Sequence, residues 1–513
     1  MGVFGRLALI VGVVLLVNGP GALAQTGQPA DAPQPLKMED VQARPEKGEQ
    51  PPQDAEEVQG QPEAEPVAEA EKEKEAEAPK KPAHFTSKAM GARLETEPPG
   101  YVKPLSKSGI PGTEEMDWLD FGLEHRTRFE LREDSRRSDL ASDEQFLMRS
   151  RVYIGVRKIL DPLRFGIEFQ DARQFFSDFP ERNRDVDEAD FLQAFAELYF
   201  EDALGEGYPV QFRAGRMTLE YVDRRLVGRN RWRNTVNAFE GFRLRLGQPS
   251  ADWQFDFFAV QPVDRLMTAR DRANEEQWFY GLVGTWRKWS QYITLEPYYF
   301  ILDEDRKDRD SADREIHTLG LHLFGPVGKT GFDYDLDTAF QFGEDGDRKQ
   351  RAFAVYGEVG YSFKHPWKPR LSVSGAYSTG DRDPDDNLSE RFDRLFETGH
   401  PWSMTDLFCW QNTITPKIYL DVRPLDKLRI NLSYGVHWLA SDNDAWVITN
   451  RRDRNGRSDD FVAQEVDLQV RYQIDPRIEL EAGYSHLFPG PFIENTGEAD
   501  DGDLFYVQTT LHF

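Results

Sequence analysis

The chain has 513 residues, 63 Lys and Arg against 90 Asp and Glu, a formal net charge of −27 and one cysteine, Cys409. A single thiol excludes a disulfide scaffold and a thiolate metal centre, and the acidic balance argues against nucleic acid, whose phosphates need a basic surface. A mean hydropathy of −0.66 excludes helical membrane residence only, because a barrel with a wet lumen turns just every second residue of each strand to lipid.

Residues 1–24 read as a secretory signal: Arg6 opens it, Leu7 to Val17 is the apolar run, and Ala22-Leu23-Ala24 is a small-x-small cleavage site before Gln25. No later stretch offers a run of about 18 consecutive apolar residues, so no transmembrane helix is expected. From Gln25 to Glu115 the composition turns to Pro, Glu, Ala, Gln and Lys, with Phe85 the first aromatic. Such a segment buries too little apolar surface to offset its ordering entropy, so a disordered acidic periplasmic linker is expected over 25–115, with a transient charged helix over 63–78.

Residues 116–513 read as strand after strand. Leu119, Phe121, Leu123, Thr127, Phe129 and Leu131 alternate with Asp120, Glu124, Arg126, Arg128, Glu130 and Arg132. The same period of two places Arg149, Arg151 and Arg157 opposite Phe146, Met148, Val152 and Ile154. It sets Asp333, Asp335 and Asp337 opposite Phe332, Tyr334 and Leu336, and Glu465 and Asp467 opposite Val466 and Leu468. The closing run is Phe505, Val507, Thr509, Leu511 and Phe513 against Tyr506, Gln508, Thr510 and His512. A soluble sandwich would wet the charged face, whereas a membrane barrel encloses it around a lumen. Strands of about ten residues, aromatic ends and alternating connection lengths favour the barrel. Leu160-Asp161-Pro162, Arg423 to Asp426 and Ile474-Asp475-Pro476 are short turns, while 302–315 and 379–406 are long charged loops. The expectation is an all-β, transmembrane antiparallel β-barrel of about 16 to 18 strands over 116–513, in a bacterial outer membrane.

The charged parity is uneven. Arg126, Arg128, Arg149, Arg151, Arg157, Arg164, Arg243 and Arg245 come early; Asp333, Asp335, Asp337, Glu358, Glu465, Asp467, Glu479 and Glu481 come late. Closing the sheet would set a basic wall against an acidic one. Guanidinium groups stay charged and grip carboxylates bidentately, so Arg126, Arg128, Arg149, Arg151, Arg164, Arg243 and Arg245 are candidates to attract an anionic polymer by many weak contacts. Asp333, Asp335 and Asp337 would hold the arginines extended and keep the polymer from sticking. No catalytic residue is singled out: there is no Gly-x-Ser-x-Gly elbow, and Glu479 with Glu481 is a spacing that any charged strand face produces. Asp381, Asp383, Asp385, Asp386 and Asn387 lack the glycine and distal glutamate of a calcium loop, so no metal and no cofactor is expected.

The stretch Arg213 to Leu246 resembles the signature of the alginate export family of outer-membrane porins. The resemblance lies in Gly215-Arg216, Tyr221, Arg225-Leu226-Val227-Gly228, Trp232, Asn234-Thr235 and Phe239-Glu240-Gly241-Phe242-Arg243. Tyr377 to His400 and Gly483 to Ile493 look like two further blocks of that family, and Phe513 resembles the terminal aromatic by which barrel-assembly machinery recognises its clients. The resemblance implies an 18-stranded barrel passing polyuronate by passive diffusion through an arginine-lined constriction. Val222 stands where the family usually shows glycine, and the long acidic arm is outside the pattern. Expected partners are anionic polysaccharide or oligosaccharide, outer-membrane lipids and periplasmic export components. Uptake of small anionic or oligosaccharide nutrients is the alternative, and a structural barrel with a tethering arm is a third reading.

Overall fold

The computed structural model describes residues 84–91, 96–134, 142–305, 313–453, 458–497 and 500–513. The expected signal (1–24) and the first part of the acidic linker, including 63–78, lie outside these residues.

Among the described residues, eighteen long strands follow one another in chain order. They are β1 (Leu119–Glu133), β2 (Ser142–Val156), β3 (Leu163–Phe175), β4 (Asp187–Phe200), β5 (Val210–Met217) and β6 (Phe239–Gly247). Next come β7 (Trp253–Asp264), β8 (Gln277–Trp286), β9 (Thr294–Glu304), β10 (Arg314–Pro326), β11 (Phe332–Asp345) and β12 (Arg348–Ser362). The last six are β13 (Arg370–Ser378), β14 (Thr413–Leu425), β15 (Leu428–Trp438), β16 (Phe461–Asp475), β17 (Ile478–Pro489) and β18 (Gly502–His512). Each pairs antiparallel with its predecessor. β18 returns to β1 in register from Glu124↔His512 to Glu133↔Asp503, which closes the sheet and leaves no edge. Among the described residues helix is confined to short turns, the longest being α1 (Pro491–Thr496).

Polarity is inverted relative to a soluble protein. Along β1, Asp120, Glu124, Arg126, Arg128, Glu130 and Arg132 are all buried, while Leu319, Phe340, Val359 and Val373 on the opposite parity of other strands are more than half exposed. A sheet that puts its charges inside and its greasy side chains outside has lipid as its outer solvent. Trp286, Trp289, Trp367 and Phe513 stand exposed near the short-turn end, where amphipathic rings suit the headgroup layer. Turns at that end are short, as between Leu425 and Leu428, and by the usual asymmetry of such barrels this end is periplasmic. The other end carries the long connections 218–238, 379–412 and 439–460. A tight turn there, between Asp345 and Arg348, is an exception to the alternation.

The outward face makes a quantitative demand. Phe340→Arg, near the middle of β11, is expected to destabilise the barrel by about 2–4 kcal/mol. Equilibrium unfolding from phospholipid vesicles measures it.

Candidate functional site

Residues 218–238, the heart of the family-like stretch, do not form an outer loop. They cross the lumen from wall to wall. Arg225 lies 2.9 Å from both Asp335 and Asp337 of β11, Arg229 is 2.7 Å from Glu168 of β3, and Trp232 lies under Arg128 of β1 at 3.9 Å. Only a segment inside the bore reaches those inward-facing residues together. Gly228 lets a second inserted segment pass: a Cβ there would stand 2.5 Å from Thr398. Backbone bonds then strap the two together, Phe396 donating to the Leu226 carbonyl at 2.9 Å and Gly228 to that of Phe396 at 3.0 Å. Val222, Asp223 and Arg224 run consecutively at φ +51°, +46° and +68°. This left-handed turn costs an L residue about 1–2 kcal/mol and suits a β-branched one least, which gives a physical reason for glycine at the Val222 position in the resembling family.

The candidate arginines all lie on the inward parity, but their partners differ from the simple picture of a free basic wall. Arg126 donates to the carbonyls of Arg231, Trp232 and Arg233 at 2.7, 3.2 and 3.0 Å and to Asn234 Oδ1 at 3.0 Å. Arg128 donates to Trp232 O at 2.6 Å and Arg149 to Arg233 O at 3.2 Å. Arg149 and Arg151 also face Glu124, at 2.8 and 3.5 Å. These four therefore grip the backbone of the inserted segment or pair with wall carboxylates. Asn234 completes the grip, its Nδ2 reaching the carbonyls of Met148 and Asp185 at 2.9 Å. Arg164 stands apart at the periplasmic rim beside Asp161 and over Tyr199. Arg243 and Arg245 lie on β6 with Arg213 of β5 close by. The aspartates bind other cations than those expected: Asp335 and Asp337 hold Arg225, and Asp333 accepts from Arg370 and Lys88.

Periodicity did not single out an aromatic sector of the wall. Phe258, Phe279 and Phe300 face inward from β7, β8 and β9, with centroids 5.2–5.4 Å apart between neighbours, and Phe396 and Phe239 pack against them. The inward parity of Trp253 to Val263 mixes Gln254 and Asp256 with Phe258 and Val260, so alternation gives only a weak inward signal there; the Phe257-Phe258 doublet is the trace it leaves. Gly241, at φ +151°, brings β6 against β7, where a Cβ would sit 2.3 Å from the Ala259 carbonyl oxygen. In the expected oxygen-rich loop, Asp381 pairs with Arg348 at 2.7 Å while Asp383, Asp385 and Asp386 point to solvent. Among the described residues, Asp187, Asp190 and Asp271 converge within 4.8 Å, and burial beside the other two raises the Asp271 carboxyl to about 7.

Part of the expected disordered linker is also in the lumen. Residues 84–91 and 96–104 run along the periplasmic half of the wall. The Glu97 carboxylate receives Arg243 at 2.7 and 2.8 Å and Arg245 at 3.0 Å, with Arg213 at 3.7 Å. Burial alone would raise this carboxyl, but Arg243, Arg213 and Arg245 outweigh it and hold it well below the usual carboxylate range.

Residues 117–507 match the family model described as alginate export. No curated protein matches by sequence. Among solved structures, OccK11 (OpdR) of Pseudomonas aeruginosa is similar at a TM-score of 0.53 and 12% identity, over 77% of this chain and 96% of that one. OccAB3 of Acinetobacter baumannii is similar at 0.54 and 13%, over 77% and 99%. OpdK of Pseudomonas aeruginosa, solved with vanillate, is similar at 0.54 and 10%, over 77% and 98%.

Two outcomes follow from the grip on the inserted segment. Asn234→Ala and Arg126→Leu should each weaken its seating by about 1.5–3 kcal/mol, since hydrogen bonds to a charged or fully buried partner are lost; single-channel records should show added gating noise. The second concerns His400, which stacks on Trp232 at 4.0 Å. Burial pulls its imidazole down to about 4, against the pull of Asp406 and Glu481. The unfolded chain binds that proton below about 6.5, so this residue's contribution to stability is intact above that value and is lost as pH falls toward 4. His400→Gln should flatten the fall in denaturant midpoint over that window.

Proposed function

This chain belongs to the alginate export family of outer-membrane porins, and on that footing we propose that its barrel passes anionic polysaccharide by passive diffusion. Family and fold give it the role of a channel. The observation that carries the substrate class is the seating of a carboxylate on the lumen face of Arg243, Arg245 and Arg213. Bidentate guanidinium contact of this kind suits a uronate as well as a glutamate, and a row of such contacts conducts a polymer when none is deep enough to hold it. Arg126, Arg128 and Arg149 act one step back, shaping the constriction by fixing 218–238. Export would need a polymer supply at the periplasmic mouth, so periplasmic export components are the partners this reading calls for.

A second reading, uptake of small carboxylates, draws on the narrowing of the bore by the inserted segments. A fold relative was solved with a small aromatic carboxylate, vanillate.

Planar-bilayer recording tests both. Polyuronate should block at a concentration at least about tenfold below that of a neutral dextrin of equal length, and about 1 M KCl should erase the difference by screening. Arg243→Gln with Arg245→Gln should remove the preference, because each lost charged hydrogen bond removes about 1.5–3 kcal/mol. Equal block by uronate and dextrin defeats the polymer reading, and preference for monomeric over polymeric uronate favours uptake.

A further inference from the structure

The arm ahead of β1 has a built seat inside the barrel. Ser87 donates to Asp335 at 2.6 Å, the Met90 amide to Glu358 at 3.0 Å, and Lys88 to Asp333 at 3.3 Å. Ala89 is fully buried. Farther along, Tyr101 donates to Glu168 at 2.5 Å and stacks on His512 at 5.8 Å, and Lys103 and Pro104 pair with Phe121 and Asp120 of β1. The wall is shaped to receive it. Gly122 interrupts the charged inward parity of β1, and a Cβ there would stand 2.8 Å from the Tyr101 ring and 2.9 Å from Val102 Cα. Between these two stretches lies Glu97, its carboxylate on Arg243 and Arg245 and near Arg213.

We propose that residues 84–91 and 96–104 are a tethered competitive ligand of the channel: Glu97 occupies the carboxylate site made by Arg213, Arg243 and Arg245, and a passing polyanion must displace it. The proposal deepens the polyanion reading and rests on it for the identity of the competitor. Chemistry and position both support it. The seated group is the same functional group as the carboxylate of a uronate, and it is supplied from the periplasmic end, where an exported chain would enter. A short tether presents its carboxylate at an effective concentration of about millimolar. A site left free about a tenth of the time shows a tenfold weaker apparent affinity for any outside ligand. The device therefore sets a threshold: dilute anions leave the arm in place, and a polymer offering many carboxylates in succession clears it.

The test uses the full chain in planar bilayers, with KCl and then an alginate oligomer as probes. Glu97→Gln removes the competing charge, and Gly122→Leu unseats Tyr101 without touching an arginine; heat-modifiable migration confirms that each variant is folded. Both should raise the KCl conductance and lower the half-blocking concentration of the oligomer about tenfold. If neither variant changes conductance or block while uronate is still preferred over dextrin, the tethered ligand is overturned and the polyanion reading stands. If conductance rises in both variants but uronate is never preferred, the arm is a plug and the polyanion reading fails.

Discussion

A strand crossing hydrocarbon must pair every backbone N–H and C=O with another strand, because no water is there to take them. That requirement closes β18 onto β1, and closure fixes the rest. Each side chain then faces either lipid or the bore, with a period of two and no third choice. The charged residues of the membrane-crossing strands have one place to go, and it is an enclosed one.

Enclosure changes what the charges do. Arg126, Arg128, Arg149 and Arg151 are almost wholly buried, and a buried guanidinium without a partner costs several kcal/mol. Wall carboxylates such as Glu124 satisfy part of that need. The carbonyls of 231–233 satisfy much of the remainder, so the arginine ladder and the inserted segment stabilise each other. The inserted segment is thereby held on three sectors of the wall, since Arg225 anchors it on β11, Arg126 on β1 and Asn234 on β2.

Much of the fold was legible in the sequence. The parity of Leu119 to Arg132, of Phe146 to Arg157 and of Phe332 to Gln341 gives the inward and outward faces as they stand in the barrel, since lipid and lumen impose opposite demands on neighbouring residues. The blocks around Arg225, Trp232 and Asn234 were legible as a family resemblance but not as an inserted segment. Their partners lie about a hundred positions away in the chain, as Asp335 does from Arg225, and no local period records such a contact. The inward Phe258, Phe279 and Phe300 were hidden because their parity mixes aromatic residues with polar ones such as Asp256, Thr285 and Glu296, while the opposite parity is largely apolar too. Glu97 was hidden for the opposite reason: it is one glutamate in a stretch full of them, and nothing local marks it as the one that reaches Arg213, Arg243 and Arg245, which the pairing of β5 with β6 sets side by side.

Two carboxylates serve both intrusions at once. Glu168 accepts from Tyr101 of the arm and from Arg229 of the segment that descends from the opposite end, and Asp335 accepts from Ser87 and from Arg225. A carboxylate already oriented by one donor is ready for the other, and linkage makes such help equal in both directions. The arm that enters from one end and the segment that descends from the other therefore share two anchoring carboxylates, and loosening either one leaves the other resting on a less constrained acceptor.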